Sequence, residues 1–248
     1  MTYSDAELYT RSAATLVASW GEYARGAPGA ALRLIRGAAV GVFPHEPERS
    51  IYNNALLDCR FGEADRDATL DAIADLYAKA GVDKYAVWVH ESDSSTVDFL
   101  AARGFRVEES TRVMGMDLNE LGPRAVTVEM APPEWAEYVR ILRLRPDYLR
   151  HVDPAAFHLA IGRLGGEGVA AAMAFDHDGD CGIFNVTTRE HARRQGLGTA
   201  LTTWLMHQAR SRGCSTASLQ STSAGERLYT AIGYRDLGRY LEHVPTRG

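Results

Sequence analysis

The run Arg193-Arg-Gln-Gly-Leu-Gly-Thr199 lies between an apolar, strand-like segment and a long helix-like one, and that setting constrains the chain more than any other feature. Two glycines at alternate positions let the backbone turn sharply and approach a ligand with no Cβ in the way. The amides that follow open a predicted helix, Thr199 to Arg212, whose N-terminus carries a partial positive charge. Strand, paired arginine, Gly-x-Gly and helix in this order predict an anion-binding turn suited to a pyrophosphate. They also require an α/β chain, because the turn works only where a strand hands over to a helix.

At 248 residues the chain has room for one large domain or two small ones, each able to bury a core. Its net charge of −5 is spread along the sequence, so the arginine pair is a local feature and no nucleic-acid-binding field is expected. No apolar run approaches the ~20 residues that cross a bilayer, which argues against a membrane partner. Met1-Thr-Tyr-Ser-Asp5 lacks the basic start and apolar core of a secretion signal, so a cytoplasmic location is expected. Cys59, Cys181 and Cys214 are an odd, widely spaced set with no Cys-x-x-Cys, so neither a disulfide framework nor a metal site is expected. A homodimer is the oligomer left open.

Asn119-Glu-Leu-Gly-Pro-Arg124 joins two strand-like runs with turn formers, and it divides the chain into domains over 1–120 and 125–248. The first half reads as helix 5–23, strands 32–35, 39–43 and 50–57, helix 67–80, strand 84–90, helix 95–103 and a long bent strand or hairpin over 105–118. The second reads as strand 125–130, helix 133–149, strands 157–164 and 168–176, a hairpin turn with Asp-Gly at its centre over 176–180, and strand 181–187. The arginine-glycine loop and its helix follow, then strand 216–220, helix 224–232 and strand 234–244. The halves echo one another. Ser50-Ile-Tyr-Asn-Asn54 is like Gly182-Ile-Phe-Asn-Val186, and Phe99-Leu-Ala-Ala-Arg-Gly-Phe105 is like Leu228-Tyr-Thr-Ala-Ile-Gly-Tyr234, in the same order and at similar spacing.

Arg193-Arg-Gln-Gly-Leu-Gly198 followed, after one strand and a turn, by Leu228-Tyr-Thr-Ala-Ile-Gly-Tyr234 resembles the fingerprint of the GNAT N-acetyltransferase superfamily. The resemblance covers about residues 125–245, with a fainter echo in the first half. It implies two GNAT-like domains in tandem, each a mixed, mostly antiparallel sheet flanked by helices. It also implies acetyl-CoA as co-substrate and a primary amine, from a small-molecule acceptor, that attacks directly in a ternary complex. Similarity to mycothiol synthase-like enzymes keeps amino-sugar and amino-acid conjugates among the acceptors.

On this resemblance the main chain of Arg194, Gln195, Gly196, Leu197, Gly198 and Thr199 binds the pyrophosphate, with Arg193 and Arg194 adding charge-assisted contacts. Val186 to Thr188 holds the pantetheine arm through its main chain, leaving the thioester between Val186 and Leu219. Thr222 stands where family helices often begin with an Asn. Tyr229 falls where many members keep a phenol to protonate the leaving thiolate; packing under the sheet is its structural alternative.

The base is less evident, because Ile183-Phe-Asn-Val186 carries Asn185 where members often carry Glu. His151, Asp153, His158, Glu129 and Glu242 are the substitutes, each equally readable as a solvated side chain. Trp135, Tyr138, Tyr148 and His151 gather in the segment that covers the acceptor in this fold, with Tyr240 to His243 able to reach the same cleft.

The first half reads Asp58-Cys-Arg-Phe-Gly-Glu-Ala-Asp-Arg-Asp67 at the loop position, with one glycine and four acids, and Leu100 at the tyrosine position. It is therefore expected to bind no acetyl-CoA. It either packs against the active half or walls the acceptor pocket with Tyr52, Asn53, Asn54, Trp88, His90 and Glu91. Two other functions fit less well: a non-catalytic acyl-CoA-binding sensor, and a transferase with a long-chain acyl or aminoacyl donor.

Overall fold

The computed structural model describes residues 2–46, 52–58, 65–123, 129–131, 134–144 and 152–246. The first half supplies α1 (Asp5–Arg25), β1 (Ala31–Ile35), β2 (Ala38–Val42), β3 (Asn54–Leu57), α2 (Arg66–Lys79), β4 (Ala86–His90), α3 (Ser94–Ala102) and β5 (Phe105–Asp117). The second supplies β6 (Glu129–Ala131), α4 (Trp135–Ile141), β7 (His158–Leu164), β8 (Glu167–His177), β9 (Asp180–Thr188), α5 (Leu197–Arg212), β10 (Thr216–Ser221), α6 (Glu226–Ile232) and β11 (Arg235–Pro245).

These elements form two compact units, 17–112 with 238–248 (the N-unit) and 1–16 with 113–237 (the C-unit). The units therefore differ from the contiguous stretches 1–120 and 125–248, and the reason is strand pairing. β11, from the second half, pairs antiparallel with β4, Tyr240 opposite His90 and His243 opposite Val87. The end of β5, from the first half, lies beside β10 in the C-unit, where Leu118 N–H donates to the Ser215 carbonyl at 2.9 Å.

In the N-unit, β1 and β2 are an antiparallel hairpin, β2 and β3 are antiparallel, and β3 and β4 are parallel with α2 as the crossover. Val40, Ala55, Ile73, Val87 and Leu100 fill the core between this sheet and α2 and α3. Asp93 caps α3 by accepting from Thr96 N–H at 3.1 Å, and Ser4 and Glu7 form a reciprocal capping box at the start of α1.

The C-unit repeats the pattern. β6, β7, β8 and β9 pair antiparallel in turn, and β9 and β10 are parallel with α5 crossing between them. From β1 and from β7 alike the order is strand, strand, strand, helix, strand, helix, strand, and the first four strands pair antiparallel, antiparallel and parallel in both. The second echo is structural, since Gly104 and Gly233 both end a helix with positive φ. The first is out of register. Asn54 opens the parallel ladder opposite Ala86 as Asp180 does opposite Thr216, so Asn54 corresponds to Asp180 and not to Val186.

The expected turn at 176–180 joins β8 and β9, with Asp178 at φ 45° and Gly179 at φ 75°, the two positive angles of a type I′ hairpin. The region 105–118 is one 13-residue strand, not a hairpin. Helix 133–149 is corrected to α4, which stops at Ile141. Arg143 takes φ 58°, and the N–H groups of Arg143 and Leu144 return to the carbonyls of Arg140 and Val139, a Schellman ending that sequence periodicity does not reveal.

Asp180 ties the parallel strands together. Its carboxyl is buried and accepts from Thr216 Oγ1 at 2.7 Å and Ser218 Oγ at 2.6 Å, and burial raises its pKa against the pull of both hydroxyls. The folded state therefore holds this proton above the ordinary aspartate value of 3.8, and the group's contribution to stability falls as pH rises from there through the raised value. Asp180→Asn is expected to remove that part of the slope in denaturant unfolding followed from pH 4 upward. An unchanged slope would show that the carboxyl ionises freely.

Candidate active site

β9 departs from a regular strand where the sequence reads Phe184-Asn-Val186. Against β8, Ala171 pairs with Thr187 and Met173 with Phe184, so β9 spends one extra residue, and Asn185 takes up the bulge at φ 55°. Asparagine is among the few side chains that visit this conformation readily. On its other edge, β9 pairs with β10 only from Asp180↔Thr216 to Ser218↔Gly182. Both strands continue, β9 to Thr188 and β10 to Ser221, so the pair splays into a notch whose β9 side is 183–188. Val186, Thr187 and Thr188 are half-buried along it.

The loop follows directly. Glu190 to Ala192 makes one 3-10 turn, and Arg193 Nε donates to the Thr188 carbonyl at 3.3 Å. Arg194 takes φ 62° and Gly196 φ 77° before α5 begins at Leu197, two residues earlier than the expected Thr199. Among the described residues, the backbone N–H groups from Arg194 to Thr199 donate to no protein acceptor. Six such donors with two left-handed residues interleaved form an anion nest at a helix N-terminus. Arg193, Arg194 and Gln195 are exposed around it, while Leu197 is 2% exposed and anchors the first turn in the core. The two glycines do different work. Gly196 supplies the left-handed cap, whereas a Cβ on Gly198 would lie 3.1 Å from Leu228 Cδ1, so this glycine lets α6 come close.

Tyr229, on α6, packs edge-on to Tyr234 with ring centroids 5.9 Å apart. It is only 9% exposed, and burial pushes its pKa up to about 12, so the phenol is neutral near pH 7. Its hydroxyl has no hydrogen-bond partner among the described residues and, unlike that of Tyr234, is not sealed from solvent. Thr222 is exposed in the turn before α6, where its carbonyl accepts from Gly225 N–H at 2.9 Å. Loop, splayed strand, Thr222 and Tyr229 all belong to the C-unit.

Of the expected base residues, the two in the C-unit with described side chains, His158 and Asp153, are engaged in local contacts. His158 pairs with Asp176 at 3.5 Å toward the β8–β9 hairpin, and Arg212 holds the same carboxylate at 2.6 Å. Asp153 is exposed and caps a 3-10 turn through Ala155 N–H at 2.9 Å. Glu242 belongs to the N-unit. His151 and Tyr148 lie outside the described residues, as do Cys59 and the side chain of Glu129. Asn185 instead donates from Nδ2 to the Tyr138 hydroxyl oxygen at 3.0 Å, a contact that sequence spacing gives no hint of. Cys181 and Cys214 are buried and burial raises both thiols, Cys214 to about 12, so neither is an activated nucleophile. No three His, Cys, Asp or Glu side chains among the described residues are arranged to hold a metal ion, and no described helix is long and apolar enough to cross a membrane.

In the N-unit the paired asparagines are core ties. Asn53 accepts from Phe43 N–H at 2.7 Å and donates to the Glu46 carbonyl at 3.0 Å, and Asn54 accepts from Trp88 Nε1 at 3.1 Å. Tyr52 packs on Phe43, His90 bonds Ser92 at 2.7 Å, and Glu91 is exposed. Tyr52, Asn53, Asn54 and His90 thus have partners within the N-unit. The N-unit counterpart of the loop falls largely outside the described residues, but what borders it is informative. Arg66, first residue of α2, is 8% exposed and donates to Ser95 Oγ at 2.7 Å, beside a shallow pocket lined by Leu57, Thr69, Thr96, Phe99 and Leu100.

The sequence model of the acetyltransferase (GNAT) family matches residues 124–234, the stretch that holds the splayed strand, the loop and Tyr229. No curated protein matches the chain in sequence. The structure is similar to a GCN5-related N-acetyltransferase from Kribbella flavida, with TM-score 0.72, 17% identity and 96% of each chain covered. A GCN5-related N-acetyltransferase from Sphaerobacter thermophilus aligns over 98% of this chain and 93% of its own at 18% identity and TM-score 0.61. A tandem GNAT protein from the clavulanic acid biosynthesis pathway aligns over 89% and 86% at 15% identity and TM-score 0.63. At these identities the likeness is one of fold.

Proposed function

We propose that this chain, an acyltransferase whose residues 124–234 belong to the acetyltransferase (GNAT) family, moves an acetyl group from acetyl-CoA to the primary amine of a small molecule. The observation that carries this reading is the nest of unpaired amides from Arg194 to Thr199, opening α5 directly after a strand that has left its ladder. The nest and the Arg193–Arg194 pair take the pyrophosphate, the edge of Val186 to Thr188 that has left β10 takes the amides of the pantetheine arm, and Thr222 follows the end of β10. The thioester then falls near Leu219.

The amine nitrogen attacks the thioester carbonyl carbon, the C–S bond breaks as the tetrahedral adduct collapses, and the thiolate takes a proton from the Tyr229 hydroxyl. The second amine proton leaves to water, which later restores the phenol. A hydroxyl that stays protonated near neutral pH and reaches solvent from a buried ring suits this role. The N-unit binds no acetyl-CoA in this reading, because its loop position carries one glycine and four acids and Leu100 stands at the tyrosine position.

Tyr229→Phe is expected to lower kcat by about 10²-fold, the usual scale of a lost general acid, while acetyl-CoA affinity changes by less than about threefold. Thiol-release kinetics with calorimetry checks both. Unchanged kcat removes Tyr229 from the mechanism. An acyl-CoA-binding sensor is the second reading, favoured by Asn185 in place of a carboxylate. It requires that acetyl-CoA binds but no thiol is released across a broad amine panel, even at alkaline pH.

A further inference from the structure

Gly225 immediately precedes α6 with an ordinary backbone, φ −92° and ψ −20°, which most residues can adopt. Glycine here answers a need for space. A Cβ at this position would lie 2.8 Å from Ser221 Oγ and 2.9 Å from Tyr229 Cε2, inside the distance at which carbon packs against either. The Tyr229 ring thus occupies the room that any other side chain would take. Helical side chains lean toward the helix N-terminus, so this ring lies back over the residue one turn earlier, which is Gly225. Gly225 is bound into the same turn. Its carbonyl accepts from Leu228 N–H at 3.0 Å and Tyr229 N–H at 3.2 Å, and its own N–H donates to the Thr222 carbonyl at 2.9 Å.

The ring's other neighbours are firm. Ser221, the last residue of β10, is buried, and its hydroxyl donates to the Thr222 carbonyl at 2.8 Å. Tyr234 is itself buried and meets the ring edge-on. A methyl at 225 is therefore accommodated by moving the Tyr229 ring off the first turn of α6, and the hydroxyl moves with it. We infer that Gly225 is a positioning residue for the acid step: by having no side chain it seats the Tyr229 ring beside Ser221, at the end of β10, and so sets where the phenol meets the leaving thiolate. The inference rests on the acetyl-transfer reading and adds to it what aims the acid. Gly225 exchanges no proton. The proton passes from the Tyr229 oxygen to the thiolate sulfur, and the phenolate left behind regains one from water. Proton transfer requires donor and acceptor within hydrogen-bond reach, so a ring displaced by about 1 Å slows this step while the nest still holds acetyl-CoA.

The test uses the full chain, acetyl-CoA and the amine that the wild type acetylates fastest in a broad panel. Gly225→Ala adds one methyl on a backbone that alanine adopts without strain. It is expected to lower kcat about tenfold, with the KM of acetyl-CoA and of the amine within twofold of wild type. Introduced into Tyr229→Phe, the same substitution is expected to change kcat by less than twofold, because no hydroxyl is left to misplace. A purely structural role for Gly225 would slow both backgrounds alike. Calorimetry with acetyl-CoA and thermal unfolding report whether each variant is folded. An unchanged kcat in Gly225→Ala overturns this inference and leaves acetyl transfer standing. So does a loss that persists in Tyr229→Phe, or a Gly225→Ala protein that no longer folds or binds acetyl-CoA, since the glycine then serves the scaffold. A wild type that binds acetyl-CoA and acetylates no member of the panel overturns both.

Discussion

Gly196→Asp abolishes measurable acetyl-CoA binding, with an expected loss of affinity of at least about 10²-fold, or ~2.7 kcal/mol. Gly196 is the N-cap of α5 at φ 77° and ψ 3°, and its neighbours from Arg194 to Thr199 contribute the unpaired amides. Aspartate tolerates the left-handed region better than most residues, so the loop is expected to keep its path at a cost of about 1 kcal/mol in stability. What changes is charge. A carboxylate in the middle of the nest occupies donors meant for the ligand and repels its diphosphate. Gly196→Asn is the matched control, equally tolerant of the backbone and neutral, and is expected to lose less than about tenfold. Calorimetry with acetyl-CoA on both variants, with thermal unfolding alongside, separates the two causes. Equal losses in the Asn and Asp variants would mean that glycine serves the turn alone and the nest does not hold the phosphates.

Glu242→Gln is expected to stabilise the protein by about 2 kcal/mol at pH 8 and by almost nothing at pH 4. In the N-unit the Glu242 carboxyl is raised from 4.5 to about 7, first by burial and then by the charges of Glu109 and Glu108. Below 4.5 the carboxyl is protonated whether the chain is folded or not, so it costs nothing. Between 4.5 and about 7 only the unfolded chain ionises, and stability falls as pH rises. Above that window the full penalty is present. A shift of this size converts to roughly 3 kcal/mol at ~1.4 kcal/mol per pKa unit, and the side chain's partial exposure reduces it to about 2. Glutamine keeps the shape and cannot ionise. Denaturant unfolding of wild type and variant from pH 4 to 8 reads the difference directly, and a gain independent of pH would assign the effect to packing.

How far the sequence foretold the site depends on the range of the interaction involved. The loop 193–199 was legible because its signals are local: glycine where φ is positive, arginines beside it, a strand before and a helix after. The hairpin at Asp178-Gly179 was legible for the same reason. The partners of Asn53 and Asn54 are non-local. Each amide answers a polar group elsewhere, Phe43 N–H and Glu46 carbonyl for one and the Trp88 indole for the other. α4 ended early on a Schellman turn built with arginine rather than glycine, so the usual stop signal was absent.

The sequence by itself determined that this chain builds two related α/β arrangements, that one of them carries a two-glycine turn at a helix start, and that Tyr229 sits one helix further on. Each of these is written in φ preference or periodicity within a few residues. Only the tertiary structure decided that β11 completes the N-unit beside β4 and that the end of β5 lies beside β10. The same holds for the point where β9 leaves β10, after Gly182, and for the amide that meets Tyr138 at the bulge. A β-ladder joins residues far apart in the chain, and its register is fixed by which backbone groups and side chains remain unsatisfied once everything else has packed. No local pattern carries that information, and the notch is made where the ladder stops.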